Sequence, residues 1–402
     1  MSTATEIRDA APDEPVEVEH PVTPLELFFD LVFVLAFTQV TAAMAEDPTW
    51  GGLARGMLVL ATVWWAWVGY AWLTNAIDPE EGWPRLLMFV AMAAMLVVAL
   101  AVPDAFGESG LAFALAYLVV RAIHIVLTSL APGDPGVRRQ ALLGLGPTAL
   151  AGTLLLVIAS QLDGIAQGAC WALALAVDFS GALRGVERWQ VHAEHFAERH
   201  GLILIVALGE SIVALGVGAA GLPIDAGLVA ASALGVAVAA ALWWAYFDVV
   251  ALVAARVLLA QSTRRARNTM ARDSFSYLHL VLIAGIVLLA LGVKKVLGHV
   301  DEPLGLIPAV ALCGGPALYL VGLVALRLRN VGSVNRQRVV ALLVLVALIP
   351  AATTVDALLG LTAVAVVCVG LVAYEAMRFA SNRDRVRHLG EASAAVSRPT
   401  RR

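Results

Sequence analysis

The chain has 402 residues, of which 60% are hydrophobic and 14% are charged, and its mean hydropathy is +0.83. Soluble globular chains carry about 25% charged residues, so this composition excludes an ordinary soluble protein and indicates a polytopic membrane protein. The formal net charge of −4 excludes little by itself, because acidic residues cluster near the start of the chain and basic residues near its end.

The first segment, residues 1–22, is predicted to be a disordered, acidic, cytoplasmic tail. It carries six acidic residues and one basic residue, Arg8. A cleavable signal peptide begins with basic residues followed directly by an apolar core, so we expect none here. The last segment, 381–402, is predicted to be a disordered basic tail on the same side of the membrane.

Between the tails, apolar runs bounded by proline, glycine or charged residues predict an all-α protein with about 12 transmembrane helices. No room remains for a separate soluble domain. The predicted spans are 24–45, 53–75, 84–103, 109–131, 138–160, 163–183, 199–220, 225–250, 274–297, 304–327, 338–355 and 357–379.

The basic residues divide the loops into two classes. Of the 27 Lys and Arg residues, only Arg55, Lys294 and Lys295 fall on the side opposite the N-terminus, and Arg121 lies within a span. Cytoplasmic loops carry an excess of Lys and Arg. The pattern therefore predicts an even number of spans, with the N- and C-termini both cytoplasmic, in a bacterial cytoplasmic membrane.

Chemically unusual residues recur in order at similar offsets along the chain. A chain that repeats its intramembrane acids and its tryptophan doublet in this way is predicted to be duplicated, with a first six-helix half at 23–190 and a second at 191–380. Equivalent helices then run in the same direction. The recurring pairs are Asp30 with Glu210, Trp64-Trp65 with Trp243-Trp244, Arg139-Gln140 with Arg336-Gln337, and Asp178 with Glu375.

Two segments resemble the two signatures of the bacterial low temperature requirement A (LtrA) family. One is Pro-Leu-Glu-Leu-Phe-Phe-Asp-Leu-Val-Phe-Val at 24–34, and the other runs from His195 to Ile212. The resemblance implies an integral, many-helix bacterial membrane protein linked to low-temperature growth, and it implies no mechanism. The positions that carry over are Glu26, Asp30, His195, Glu198, Arg199, Glu210 and Ser211.

Ionisable groups inside hydrocarbon are costly and are the first candidates for function. Thr23 and Glu26 have the form of a capping box, which explains Glu26 without any function. Asp30 lies one turn deeper on the same face, where no capping role remains; it is either functional or a buried structural hydrogen-bonding group. Glu210 is predicted near the midplane beside Ser211, and its structural alternative is an ion pair with Arg121.

Arg121 and His124 share one helix face and form the next candidate group. Arg121 is predicted to neutralise Asp30, Glu210 or Asp178, either as a fixed counter-charge or as a gate. His124 is either a proton relay or a packing group. Asp178 is a supporting acid, and Asp248 is expected to line the same cavity as Asp30.

His195 and Glu198 share a face but lack the spacing of a tetrahedral metal site. We therefore predict no metal there and interpret the segment as a solvated lead-in to a helix, with Arg199 anchoring at the membrane interface. The sequence contains no nucleotide-binding or hydrolase motif in a suitable context, so we predict no cofactor, no catalytic residue and no nucleic-acid partner.

These features favour a secondary transporter in contact with the lipid bilayer, which moves an unknown small solute or ion. Asp30 and Glu210 would bind the coupling proton or cation, with Arg121 as counter-charge and Asp178 in support. Two alternatives remain open. One is an intramembrane enzyme that acts on lipids, and the other is a non-catalytic sensor or scaffold with its acids in fixed pairs.

Overall fold

The computed structural model describes residues 21–80, 82–131, 135–183, 189 and 191–380. The predicted all-α class is confirmed, because every long element in these ranges is a helix and none is a strand. The predicted tails lie outside the described residues, apart from Pro21 and Val22.

The first group of helices occupies the region up to Gly181. A three-residue 3₁₀ turn follows α3, and a five-residue π-helical segment, Ala141–Leu145, joins α5 to α6. The helices are α1 (Pro24–Glu46), α2 (Trp50–Thr74), α3 (Trp83–Ala101), α4 (Gly110–Leu130), α5 (Pro135–Gln140), α6 (Gly146–Ala159) and α7 (Gly164–Gly181).

The second group begins at Ala193. A π-helical segment, Ala271–Tyr277, separates α11 from α12. The helices are α8 (Ala193–Ala219), α9 (Ala226–Phe247), α10 (Val250–Leu259), α11 (Arg264–Met270), α12 (Leu278–Gly298), α13 (Leu306–Val331), α14 (Arg336–Ala352) and α15 (Ala357–Arg378).

Twelve long helices are present in the described residues if the short α5, α10 and α11 are set aside, as the sequence predicts. Ten segments are long and apolar enough to cross a membrane, and α7 and α14 are the long helices outside that set. α8 begins at Ala193, six residues before its predicted start. This earlier start places the segment from His195 to Arg199 inside a helix rather than in a loop.

The relative direction of α1 and α8 follows from two contacts between them. Asp30 on α1 contacts Arg199 on α8, and Thr38 further along α1 contacts Glu210 further along α8. Because the second contact lies toward the C-terminal end of both helices relative to the first, the two helices are parallel. Parallel packing requires an even number of crossings between them, which agrees with six spans in the first half.

Corresponding helices in the two groups also have corresponding neighbours. In the first group α1 packs on α2 and α3, α3 packs on α4, α4 on α6, and α6 on α7. In the second group α8 packs on α9 and α12, α12 packs on α13, α13 on α14, and α14 on α15. The shared pattern supports the duplication, which itself stays a prediction.

Glycines let α12 and α13 approach backbone to backbone. A Cβ on Gly292 would lie 2.4 Å from the Cα of Leu312, and one on Gly315 would lie 2.5 Å from the backbone nitrogen of Leu289. Small residues at helix contacts are the usual means of close packing in membranes, where helices gain no hydrophobic driving force against each other.

Gly292→Ala is therefore expected to destabilise the protein by about 1–3 kcal/mol, because the added methyl group forces the two backbones apart. Thermal unfolding of the detergent-purified protein measures this effect. Gly370→Ala is the matched control, since a Cβ at Gly370 on α15 meets nothing within 4 Å. Equal melting temperatures for the two variants would contradict the close packing of α12 on α13.

Candidate functional site

A buried ion-pair cluster lies where α1, α2 and α8 meet, and we call it the Arg199 cluster. It consists of Glu26, Asp30, Trp67, His195 and Arg199. The Arg199 side chain has no solvent exposure; its Nη1 lies 2.6 Å from Glu26 Oε1, and its Nη2 lies 2.8 Å from Asp30 Oδ1. Its guanidinium carbon also lies 5.7 Å from the centre of the Trp67 ring. One arginine thus bridges two carboxylates one helical turn apart.

Glu26 has two roles in this cluster. The predicted capping box is present: Glu26 Oε2 accepts a hydrogen bond from the backbone nitrogen of Thr23 at 2.9 Å, and the Thr23 hydroxyl accepts one from the Glu26 backbone. The other carboxylate oxygen binds Arg199. The capping explanation is therefore correct but incomplete, because the same side chain ties the start of α1 to α8.

Asp30 makes two of its contacts through a single oxygen. Its Oδ1 accepts hydrogen bonds from the indole of Trp67 at 2.9 Å and from Arg199. Its Oδ2 is buried and has no hydrogen-bond partner among the described residues. Trp67 is itself fully buried, so an aromatic side chain of α2 directly contacts this acid.

The tautomer of His195 follows from its neighbour Asn75. The Asn75 side-chain oxygen accepts from the backbone nitrogen of His192 at 2.8 Å, which directs the amide nitrogen of Asn75 toward His195 Nδ1 at 3.0 Å. Nδ1 is then the acceptor, and Nε2–H donates to Glu26 Oε2 at 3.1 Å. Glu26 therefore accepts from both His195 and Arg199.

The interpretation of this segment as a solvated lead-in was wrong. Because α8 begins at Ala193, Arg199 lies about 9 Å inside the helix, and its side chain has no solvent exposure. His195 is buried with it, whereas Glu198 is not buried and lies outside the cluster. The sequence did contain a feature that predicts this burial: Glu26 and Asp30 are four residues apart and present two carboxylates on one helix face, where a nearby cation would stabilise them.

Glu210 lies elsewhere on the same helix contact and in different surroundings. It is 1% exposed and lies in the interior of α8, nine residues, or about 14 Å, before the last residue of the helix. The Thr38 hydroxyl is hydrogen-bonded to its carboxyl group, and Thr41 on the next turn of α1 also faces it.

No Lys, Arg or His of the described residues lies within 4.0 Å of the Glu210 carboxyl oxygens. Lys294 on α12 is a charged group that acts on Glu210 from a longer distance. The adjacent Ser211 hydroxyl is buried and has no hydrogen-bond partner in the same described set. Glu210 is thus a membrane-embedded acid surrounded by hydroxyl groups rather than by cations.

Arg121 pairs with Asp178, one of the three acids that the sequence offers as partners. Its Nη2 lies 2.7 Å from Asp178 Oδ1, and the Tyr117 hydroxyl donates to Asp178 Oδ2 at 3.0 Å. Both members of the pair are buried, and they join α4 to α7. The neighbouring His124 is 3% exposed, and its ring nitrogens have no side-chain hydrogen-bond partner among the described residues; its polar neighbour there is the Gly69 backbone.

Asp248 does not line a cavity with Asp30, contrary to the prediction. It borders a cavity of about 390 Å³ near the ends of α9, α13 and α15, together with Arg338 and Glu375. Arg338 binds Glu375 at 2.8 Å there. Asp248 follows the last residue of α9, Phe247, whereas Asp30 lies within α1 against α8. Among the described residues, no group of three or more His, Cys, Asp or Glu could hold a metal ion.

Comparison with known proteins places this chain in a family. The family model described as "Bacterial low temperature requirement A protein (LtrA)" matches residues 21–373. An uncharacterized protein of Rhizobium meliloti (strain 1021) is 31% identical over 314 residues, which cover 74% of this chain and 75% of that protein. No solved structure matches. The match extends through both helix groups and includes every residue of the Arg199 cluster, so the chain belongs to the LtrA family of bacterial membrane proteins.

Proposed function

We propose that the protein is an ion-coupled secondary transporter of the cytoplasmic membrane, with both termini cytoplasmic and with Glu210 as the group that binds the coupling proton or cation. The observation that carries the proposal is a buried carboxyl group in the interior of a long apolar helix, with no cation in contact among the described residues. An ionised carboxylate in such a place must bind a cation, contact water or take up a proton.

The other buried acids differ from Glu210 in this respect. Glu26 and Asp30 share Arg199, Asp178 binds Arg121, and Glu375 binds Arg338. Arg121 and Arg338 each neutralise one acid, so Asp178 and Glu375 need no external cation. Arg199 supplies one positive charge to two carboxylates, so Glu26 and Asp30 keep a net negative charge unless one of them or His195 takes up a proton. Asp30 still contacts Arg199 directly, whereas Glu210 contacts no cation among the described residues, which makes Glu210 the preferred coupling site.

The hydroxyl of Thr38 offers Glu210 two alternative hydrogen-bonding states. Thr38 contacts both Glu210 and the backbone oxygen of Val34, but a hydroxyl group has only one proton to donate. When Glu210 is ionised, Thr38 donates to it; when Glu210 is protonated, Glu210 donates to Thr38, which then donates to Val34. Protonation of Glu210 therefore changes the hydrogen bonds between α1 and α8.

The position of Glu210 suits alternating access. It lies at the contact between α1 and α8, the first helices of the two predicted halves. In transporters built from repeats, coupling-ion sites lie near the midplane at the interface between repeats. The Arg199 cluster, about 16 Å away along α8, would hold the same two helices together at one end.

Proteoliposomes that contain a bacterial metabolite extract test the proposal while leaving the solute open. An imposed pH or sodium gradient is expected to drive gain or loss of at least one solute, measured by mass spectrometry. Glu210→Gln is expected to reduce this gradient-driven flux at least about tenfold, because the amide takes up no proton at neutral pH and carries no negative charge to balance a bound cation. Glu302→Gln is the matched control, since Glu302 is an exposed loop acid.

Absence of gradient-driven movement with the wild-type protein would refute the transporter proposal, and so would normal flux through Glu210→Gln.

The second candidate function is that of a non-catalytic sensor or scaffold. The ion pairs that Arg199, Arg121 and Arg338 form with acids of the same chain favour it, because fixed ion pairs hold helices together and do not by themselves move a solute. Unchanged cold growth in a strain that carries Glu210→Gln, together with an inert protein in liposomes, would favour this candidate.

A further inference from the structure

A second, smaller cavity lies between α2, α4 and the π-helical segment at Ala271–Tyr277. Three tryptophans form much of its wall, and Arg121, His124, Arg272 and Ser276 supply its polar groups. The tryptophans are Trp65, Trp72 and Trp189. It is separate from Glu210, which does not line it.

Several buried polar atoms at this cavity have no hydrogen-bond partner among the residues that the structure describes. They are Nε of Arg121 and the ring nitrogens of His124, apart from an interaction of His124 with the Gly69 backbone. Buried donors and acceptors in native proteins are almost always hydrogen-bonded, so orphaned atoms on two side chains one helical turn apart indicate a bound polar molecule. Both side chains are only 3% exposed, which excludes bulk solvent as the partner.

The sign of the charge around the cavity selects the class of ligand. Arg121 and Arg272 are the charged residues among its described lining, and no acid is among them. Asp178 contacts Arg121 from outside that lining, and both of its oxygens are already bonded. Asp273 likewise binds Arg272 and Arg329. The free hydrogen-bonding capacity therefore consists mainly of N–H donors, which favour an anion.

The size of the cavity limits that anion. Its volume is about 50 Å³, and one water molecule needs about 10–15 Å³ measured in this way. A planar group of about four heavy atoms fills this space, and an aromatic acid would have to extend beyond it. Gly69 sets one boundary: a Cβ there would lie 3.1 Å from Arg121 Nη1 and 3.2 Å from His124 Cε1.

We propose that this cavity binds a small monovalent oxyanion, a short carboxylate or an ion of the size of nitrate, between Arg121 and His124. The planar anion accepts from Arg121 Nε–H and from one His124 nitrogen, while Trp65 and Trp72 enclose its faces. This site does not depend on the transporter proposal, because equilibrium binding reveals it whether or not the protein moves any solute.

Titration calorimetry on the full-length protein in detergent or nanodiscs tests the site, with sodium acetate and sodium nitrate as probes and sodium benzoate as the oversized comparison. We expect saturable binding of acetate and nitrate and none of benzoate. His124→Phe is expected to weaken acetate binding at least about tenfold, since it removes a hydrogen bond to a charged group while it keeps a ring in place. Quenching of tryptophan fluorescence by nitrate gives an independent readout.

Gly69→Ala narrows the cavity without changing its charge, and we expect it to weaken both probes. His299→Phe is the matched control, because His299 is exposed and distant in the chain from the cavity. Each variant is compared at a temperature below its measured unfolding transition. The proposal is overturned if the wild type binds neither probe, if benzoate binds as well as acetate, or if His124→Phe binds acetate as the wild type does.

Discussion

Arg199→Leu is expected to destabilise the folded protein by about 3–5 kcal/mol, among the largest effects of any single substitution in this chain. The arginine is fully buried and bridges Glu26 and Asp30. Its removal leaves two carboxylates facing each other across one helical turn, with only His195 of their described contacts able to supply a positive charge. The cost arises from the uncompensated buried acids rather than from the lost packing of Arg199 alone.

Thermal and denaturant unfolding of the purified protein measures this loss. Arg199→Lys is expected to recover only part of it, because an ammonium group cannot reach both carboxylates in the fork geometry of a guanidinium and cannot stack on Trp67 in the same way. The triple variant with Glu26→Gln and Asp30→Asn is expected to be more stable than Arg199→Leu alone. A triple variant as unstable as the single one would show that unpaired charge is not the cause.

Arg121→Leu is the second large effect, and we expect a loss of about 3–5 kcal/mol for the same reason. Asp178 would keep only its hydrogen bond from Tyr117 in a site that is 4% exposed. Adding Asp178→Leu to Arg121→Leu is expected to restore much of the stability, since two apolar residues can replace a buried ion pair at little cost.

Arg55→Leu provides the control for this second prediction. Arg55 pairs with Asp47 at the surface, where both side chains are substantially exposed, and such pairs contribute about 0–1 kcal/mol. A double-mutant cycle at Arg121 and Asp178, followed by unfolding, isolates their interaction. A coupling no larger than that of Arg55 with Asp47 would contradict the buried pairing of α4 with α7.

Much of the fold follows from the sequence because hydrocarbon imposes simple constraints. Helix length and hydropathy locate the long helices, since a membrane leaves no other way to satisfy the backbone. The start of α8 is not evident from the sequence, because His195, Glu198 and Arg199 look like a solvated surface. Only the tertiary contact with Glu26 and Asp30 makes the burial of His195 and Arg199 favourable, and a sequence does not display such a contact.

In the candidate site, too, features that depend on one helix could be predicted, and features that depend on contacts between helices could not. The capping role of Glu26 could be predicted, because it depends on position within one helix. The partner of Arg121 could not, because three acids were equally compatible with its depth. The tryptophan doublets differ as well: Trp64 and Trp65 are buried, whereas Trp243 and Trp244 are 45% and 42% exposed, so similar sequence does not ensure similar surroundings.

Infrared difference spectroscopy on the protein reconstituted in membranes tests the central claim about Glu210 most directly. A step in pH or in sodium concentration should produce a carboxyl-group difference band as Glu210 gains or loses its proton or cation. We predict that Glu210→Gln abolishes this band and that Asp30→Asn leaves it in place, since Asp30 is held by Arg199. A band that survives in Glu210→Gln, or that disappears in Asp30→Asn alone, would contradict the assignment of Glu210 as the coupling group.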